Sequence, residues 1–95
     1  MQQLPTNVAP YKRTPTFHQN SIPPGLLRAH STKPGTWGLI VVLEGALLYR
    51  ILEPDLEEIR LSPSRVGIVE PTVRHEVATI GEVEFYVEFL RDRNE

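Results

Sequence analysis

The chain has 95 residues, 40% of them hydrophobic, with 10 Lys or Arg, 12 Asp or Glu and a formal net charge of −2. This size and composition predict one globular domain, residues 1–95, and exclude a disordered chain. The charge gives no reason to expect nucleic acid or an anionic membrane as a partner, and the lack of cysteine excludes disulfides, thiolate zinc sites and cysteine nucleophiles.

The first twelve residues, MQQLPTNVAPYK, lack the apolar core of a signal peptide. The longest apolar run, Leu39 to Leu43, is far too short to span a membrane. A small domain without cross-links suits a reducing compartment. We therefore expect a cytoplasmic protein.

Residues 1–25 hold five of the nine prolines and are predicted to form an extended arm. Each proline fixes its own φ and favours extended backbone in the residue before it, so a long helix is excluded. The arm is either loose or lies against the body of the domain, where Tyr11, Phe17 and Ile22 could anchor it. One helical turn is predicted over residues 24–29, because proline is tolerated at a helix start.

Residues 26–90 are predicted to form the strands of a small β-barrel. The segment 37–52 is interpreted as a hairpin, since Glu44-Gly45 offers a two-residue turn in which glycine can adopt positive φ. Both faces of this hairpin are apolar, whereas a sheet with one wet face alternates. Something must therefore cover both sides, and the candidates are the far wall of a barrel, the arm or a second subunit.

Short strands continue to residue 90, and turn signals separate them about every 8–12 residues, which is typical of a sandwich or barrel. Gly81 is expected to end one strand. In the strand after it, Phe85 and Val87 share one face while Tyr86 and Glu88 share the other. The fold class predicted from these patterns is all-β and antiparallel.

The three histidines, His18, His30 and His75, are the main candidates for chemistry, since no zinc-protease, phosphate-loop or nucleophile-elbow motif occurs. His30 and His75 each begin a strand-like segment after a proline-containing loop. Two strands of a barrel could bring them to one cation, because imidazole binds transition metals and a carboxylate can complete the site. The alternative for each is a structural histidine bonded to backbone, and His18 is expected at the surface.

Two segments resemble the motifs of the cupin superfamily: a histidine-led loop before Gly45, and GIVEP at residues 67–71 followed by His75. More closely, the runs LLRAHSTKPGTWGLIVVLEGALLYRI, VGIVEPTVRHEV and VEFYVEFL resemble the small TehB/YeaR-like domain. That domain occurs alone or before the methyltransferase of some tellurite-resistance proteins. The resemblance covers about residues 14–90 and implies a jelly-roll type of cupin-like β-barrel. It implies no settled activity.

The chain departs from the general cupin pattern at its first motif. His30 is followed by Ser31 and Thr32 rather than by a second histidine, and the motif glutamate expected near Gly38 is absent. A full site of three histidines and one glutamate is therefore excluded.

The predicted metal ligands are His30, His75, Glu88 and Glu70. Glu88 is preferred to Glu70, because its carboxylate would point into the barrel if the apolar face of its strand packed against the arm or a partner. The alternative for both carboxylates is solvent or a salt bridge. The expected cofactor is a divalent metal, either zinc, iron, nickel or manganese.

Four further residues are expected to contact a small ligand: Trp37, Tyr86, Thr32 and Arg74. The alternative for Trp37 is a simple place in the core, although a buried indole N–H needs a partner. The alternative for Arg74 is a surface charge rather than an anion-binding group at a pocket mouth.

Three functions follow from these patterns. The first is a metal-binding cupin-like protein for a small molecule or oxyanion, and only the resemblance suggests its role in tellurite, nitrite or oxidative stress. The second is a non-catalytic ligand-binding or sensing module, and the third is a structural partner domain without metal. Because so small a domain has few residues to cover two apolar faces, a homodimer is expected.

Overall fold

Two long antiparallel strands, β3 and β6, dominate the fold. The computed structural model describes residues 1–94, with β1 at Val8–Arg13, β2 at Phe17–His18, β3 at Trp37–Ile51, β4 at Glu57–Leu61, β5 at Gly67–Val69 and β6 at His75–Asp92. The only helical element in this part of the chain is one 3-10 turn, Pro24–Leu27. Every strand pairing is antiparallel, so the predicted all-β class is confirmed. Across residues 1–94, no helix has the length and apolar character needed to cross a membrane.

The strands form one six-stranded sheet. Its order is β1-β6-β3-β4, with β2 also paired to β6 and β5 also paired to β3. β3 and β6 pair along almost their whole length, from Trp37 opposite Leu90 to Ile51 opposite His75. Within residues 1–94 these pairings do not close the sheet on itself. The predicted antiparallel architecture is therefore confirmed, and a closed jelly-roll barrel is not.

The hairpin predicted at Glu44-Gly45 is wrong, because β3 continues through these residues. Its pairing with β6 shifts register between Val42 and Glu44 and again between Gly45 and Leu47, which makes this segment a bulge rather than a turn. Gly45 has a φ of +83°, and a Cβ atom there would collide with the carbonyl oxygen of Glu82. Glycine is needed because the backbone of β6 occupies that space.

The strand break predicted at Gly81 is also wrong, since β6 runs through it with a φ of +102° at this glycine. A straight strand of 18 residues would be roughly 60 Å long. The longest dimension of the Cα trace is only 39 Å. Both long strands therefore bend. The register shifts around Gly45 in β3 and the positive φ of Gly81 in β6 are backbone irregularities within them.

The core is built mainly from side chains of the sheet. The largest fully buried side chains are Tyr49, Phe85, Leu47 and Leu61. Along the last part of β6, buried Phe85 and Val87 alternate with partly exposed Tyr86 and Glu88. This alternation agrees with the sequence pattern, and it turns the apolar face of β6 inward.

Much of the predicted arm, residues 1–25, belongs to the sheet. β1 and β2 both pair with β6, and the ring of Phe17 packs edge-on against Phe85 with centroids 5.7 Å apart. Ile22 is buried in the core. Of the five prolines of this segment, Pro10 alone lies in a strand. It is tolerated because β1 is an edge strand and its pairing shifts register between Pro10 and Lys12.

Candidate functional site

A cavity of about 370 Å³ opens inside the bend of the sheet. Val77 and Phe85 both line it, although they lie on opposite sides of Gly81 in the same strand. The cavity therefore exists because β6 bends. Most of its lining is apolar and comes from the core face of the sheet and from the 3-10 turn: Leu26, Gly38, Ile40, Val69, Val77, Phe85, Val87 and Phe89.

The polar lining comes chiefly from the loop between the 3-10 turn and β3. The residues with polar side chains are Tyr11, Lys12, His30, Ser31, Thr32, Lys33, Thr36 and His75. Among the described residues no carboxylate lines the cavity. The Lys and His side chains of this lining are either neutral or positively charged, so they add no negative charge to the cavity.

His30 and His75 are paired through their backbones. The N–H of His30 donates to the carbonyl of His75 over 3.0 Å, and the N–H of His75 donates to the carbonyl of His30 over 2.8 Å. Residues opposite each other in an antiparallel pair project their side chains to the same face. The two imidazole centroids accordingly lie 4.2 Å apart. The structure thus brings together the two histidines that the sequence singles out.

Each imidazole has its Nδ1 atom fixed by a backbone carbonyl two residues earlier. Nδ1 of His30 lies 3.1 Å from the carbonyl oxygen of Arg28, and Nδ1 of His75 lies 2.9 Å from that of Val73. Because a carbonyl oxygen only accepts, both Nδ1 atoms carry the proton. In a neutral ring Nε2 is then an acceptor with a free lone pair.

The Nε2 atom of His75 remains accessible from the cavity although the residue is only 4% exposed. Within residues 1–94, no hydrogen bond to this atom is found, and no buried polar side-chain atom lacks a partner. An Nε2 atom without a partner must therefore touch solvent space, and the space beside it is the cavity. The site offers two adjacent imidazoles with the same tautomer.

Burial lowers the pKa of His75, the carbonyl of Val73 opposes this effect, and the charge of nearby His30 lowers the pKa further. The ring is therefore neutral near pH 7. Tyr49 packs edge-on against it with centroids 5.9 Å apart. The Tyr49 hydroxyl donates to the carbonyl of Ile68 over 2.9 Å, which fixes the aromatic wall behind the imidazole.

The predicted metal site is not assembled. Glu88 lies on the face of β6 opposite to Phe85, and its Oε2 atom is 2.9 Å from Nη2 of Arg13. It points outward because the apolar face of its strand turns toward the core, where Phe17 and Ile22 of the predicted arm also pack. Glu70 does not line the cavity. Among residues 1–94 no three His, Cys, Asp or Glu side chains could hold a metal ion together.

Of the four residues expected to contact a ligand, only Thr32 lines the cavity. Tyr86 lies on the outer face of the sheet, where the guanidinium of Arg13 is 4.1 Å from its ring centroid. Trp37 precedes the cavity-lining Gly38 in β3, so its side chain projects to the outer face. Arg74 does not line the cavity, and its backbone N–H donates to the carboxylate of Glu53.

The sequence interpretation missed two lysines at the cavity, Lys12 and Lys33. Both belong to exposed segments, where a lysine is ordinarily a solvated surface charge. The one available signal is that Lys33 lies three residues after His30 in the same loop.

The fold and the site define a small all-β domain with a mainly apolar cavity and a pair of histidines in its wall. The chain belongs to the TehB-like domain family, whose model matches residues 12–87. The resemblance seen in the sequence is thereby confirmed.

Its curated relatives include a protein named probable S-adenosyl-L-methionine-dependent methyltransferase TehB from Haemophilus influenzae (strain ATCC 51907 / DSM 11121 / KW20 / Rd). The two are 33% identical over an alignment of 76 residues, and the match covers 76% of this chain and 27% of the relative. A protein of the same name from strain 10810 is 32% identical over the same share of each chain. The chain thus spans about a quarter of the length of these relatives.

Two crystal structures share the fold. TehB from Haemophilus influenzae superposes with a TM-score of 0.84 at 29% identity, over 92% of this chain and 32% of that one. A protein from E. coli (strain K12) superposes with a TM-score of 0.87 at 21% identity, over 97% and 98% of the two chains. The second likeness concerns the fold alone.

These findings overturn the predicted function. Both curated relatives are named as probable S-adenosyl-L-methionine-dependent methyltransferases, and the described part of the chain has no group of side chains that could hold a metal. The prediction of a metal-binding cupin is therefore wrong.

Proposed function

We propose that this chain is a small-molecule-binding module that needs no metal and serves a methyltransferase of the kind named for its relatives. The observation that carries the proposal is the cavity of about 370 Å³ with His30 and His75 in its wall. Ligand sites in proteins commonly measure roughly 300–1,000 Å³ and combine an apolar lining with a few convergent polar groups. This cavity has both properties.

A purely structural domain is the weaker alternative. Protein interiors pack at the density of organic crystals, and a core without a ligand normally leaves few voids larger than a water molecule. Here the bend of β6 keeps Val77 and Phe85 apart across an open space. The same bend supports a cupin-like barrel, open along one side, as the form of this domain.

S-adenosyl-L-methionine itself does not fit this cavity. Its sulfonium group is a cation, and a nucleoside ribose is typically held by an Asp or Glu carboxylate. The described cavity lining has no carboxylate and includes Lys12 and Lys33, which would repel the sulfonium. We therefore assign binding of that cofactor to another part of the methyltransferase and derive no methyl-transfer step in this domain.

The proposal is tested by ligand-observed NMR with a set of small aromatic and aliphatic fragments. Val77→Phe fills the cavity from its wall and should abolish fragment binding. Val41→Phe makes the same change on the outer face of β3 and should leave fragment binding intact. Binding should survive dialysis against a chelator, because no metal takes part. Absence of fragment binding to the wild-type protein would refute the module.

We also propose that the domain works in the cytoplasm as a homodimer. The lack of cysteine supports the compartment. The dimer is supported by the outer face of β3, where the apolar side chains of Leu39, Val41 and Leu48 are only partly covered. Two copies joined across a two-fold axis would cover this face on both partners.

A further inference from the structure

We propose, building on the binding module, that its ligand is a small organic anion, the conjugate base of a weak acid with an apolar body. The anionic head group binds between the Nε2 atoms of His30 and His75, and one proton enters the site with each ligand. The apolar body occupies the part of the cavity lined by Phe85 and Phe89.

The proton is required by the way in which the two imidazoles are held. Both Nδ1 atoms face backbone carbonyls, at 3.1 Å from Arg28 and at 2.9 Å from Val73, so neither can turn a donor toward the cavity. In the neutral state the cavity therefore receives two acceptor atoms from His30 and His75. An anion needs donors, and Nε2 becomes a donor only by taking up a proton from solvent.

The charged and titratable groups around this pair favour a negative ligand. β1 contributes Tyr11 and Lys12, the loop before β3 contributes Lys33, and β3 places Tyr49 against His75. The 3-10 turn and β5 contribute only apolar Leu26 and Val69 to the described lining. Two carboxylates outside the lining, Glu57 and Glu70, act on Tyr49. Every group of the described lining that can be charged near neutral pH is a cation, and these cations attract an anion.

The apolar lining selects the body of the ligand. Phe85, Val87 and Phe89 follow one another on the inner face of β6. An inorganic oxyanion would leave these side chains without contact and would have to shed its hydration shell. A carboxylate joined to a ring or chain gains roughly 25 cal/mol for each Å² of apolar surface that it buries.

Isothermal titration calorimetry with three probes tests this inference: phenylacetate, its neutral isostere phenylacetamide, and inorganic phosphate. We expect phenylacetate to bind, phenylacetamide to bind more weakly, and phosphate not to bind. If one proton accompanies the ligand, affinity for phenylacetate changes by up to about tenfold per pH unit and rises as the pH falls from 8 to 6. Titrations in buffers of different ionisation enthalpy should show uptake of close to one proton.

Three variants assign the proton to the histidine pair. His30→Gln and His75→Gln should each weaken phenylacetate binding near pH 6 at least fivefold (an order-of-magnitude estimate from the loss of one charged hydrogen bond) and flatten its pH dependence. His18→Gln, outside the cavity, should change neither. His30 is less buried than His75, so the His30 variant keeps the test meaningful if His75→Gln does not fold.

The outcomes separate this inference from the module that it rests on. The proposal of an anionic ligand would be overturned by any of three results: equal binding of phenylacetate and phenylacetamide, no proton uptake, or phosphate binding as tight as that of phenylacetate. If at the same time neutral fragments bind and Val77→Phe blocks them, the module stands without it. If no fragment and no probe binds, both proposals fail.

Discussion

Two backbone hydrogen bonds join His30 to His75, and the centroids of their imidazole rings lie 4.2 Å apart. Each ring also donates its Nδ1 proton to a carbonyl two residues earlier, Arg28 in one case and Val73 in the other. The loop before β3 is thereby fastened to the first residue of β6. A single contact thus both anchors the loop and forms the polar wall of the cavity.

The first prediction concerns the pH dependence of stability. Burial lowers the pKa of His75 below its ordinary value of 6.5, so below pH 6.5 the unfolded chain binds more protons at this site than the folded protein does. Stability is fully present above about pH 6.5 and falls as the pH drops toward the lowered pKa, by at most about 1.4 kcal/mol per pH unit from this residue. Urea unfolding at a series of pH values measures the slope.

His75→Gln provides the comparison, because glutamine does not titrate. The variant should lose that part of the slope, and the difference in free energy of unfolding between the two proteins should depend on pH only below about 6.5. His18→Gln, at an exposed position, should run parallel to wild type. Parallel curves for wild type and His75→Gln would contradict the lowered pKa.

The second prediction concerns the bulge in β3. Gly45→Ala should strongly destabilise the protein, because alanine is strained at a φ of +83° and its Cβ atom would collide with the carbonyl oxygen of Glu82. We expect a loss of roughly 2–4 kcal/mol in the free energy of unfolding. Chemical denaturation of both proteins at one pH measures it.

Gly35→Ala is the matched control. Gly35 has a φ of +80°, and a Cβ atom there meets no other atom within 4 Å. This variant should show only the strain of the left-handed backbone, about 1–2 kcal/mol. Equal losses for the two alanine variants would mean that the close approach of β3 and β6 at Gly45 does not constrain the fold.

The sequence predicts the composition of the sheet better than its shape. The alternation around Phe85 is a local pattern of period two, and it predicts correctly that Phe85 shares a face with Val87 and Tyr86 with Glu88, but not which of the two faces turns inward. A glycine in the sequence does not by itself predict one structure, because its freedom to adopt positive φ suits a turn as well as a bulge. At Gly45 and Gly81 the outcome depends on which strand lies opposite, and only long-range pairing decides this.

The candidate site is likewise predictable from the sequence only in part. His30 and His75 stand out because histidine is rare in this chain and each residue begins a strand-like segment. The preference for Glu88 assumes that the apolar face with Phe85 and Val87 packs against the arm or a partner, and that the other face of the strand lines the barrel. In the structure the face with Phe85 and Val87 turns toward the core. Glu88 therefore lies on the outer face, since side chains alternate along a strand. Lys33 gave almost no signal, because its role depends on how the loop folds.

The third prediction tests which face of β6 is inside. Phe85 is fully buried, and Phe85→Ala should lower the free energy of unfolding by about 3–5 kcal/mol. Tyr86→Ala should have a distinctly smaller effect, because its ring is partly exposed and its contact with the guanidinium of Arg13 contributes roughly 0.5–1 kcal/mol at such a site. Thermal or urea unfolding compares the two, and the reverse order would contradict the assignment of faces.

The last prediction concerns assembly through the outer face of β3. Sedimentation velocity at tens of micromolar should show a dimer for the wild-type protein. Val41→Glu places a charge at the centre of the partly exposed face, where pairing would bring it against its own copy, and should yield monomers. Leu56→Glu adds the same charge at a side chain that is 63% exposed in the turn before β4, and should remain dimeric.

Both variants should keep the β-sheet circular dichroism of wild type, since neither position is in the core. A wild-type monomer at these concentrations would contradict the dimer, and loss of the dimer in Leu56→Glu alone would move the interface to another part of the sheet.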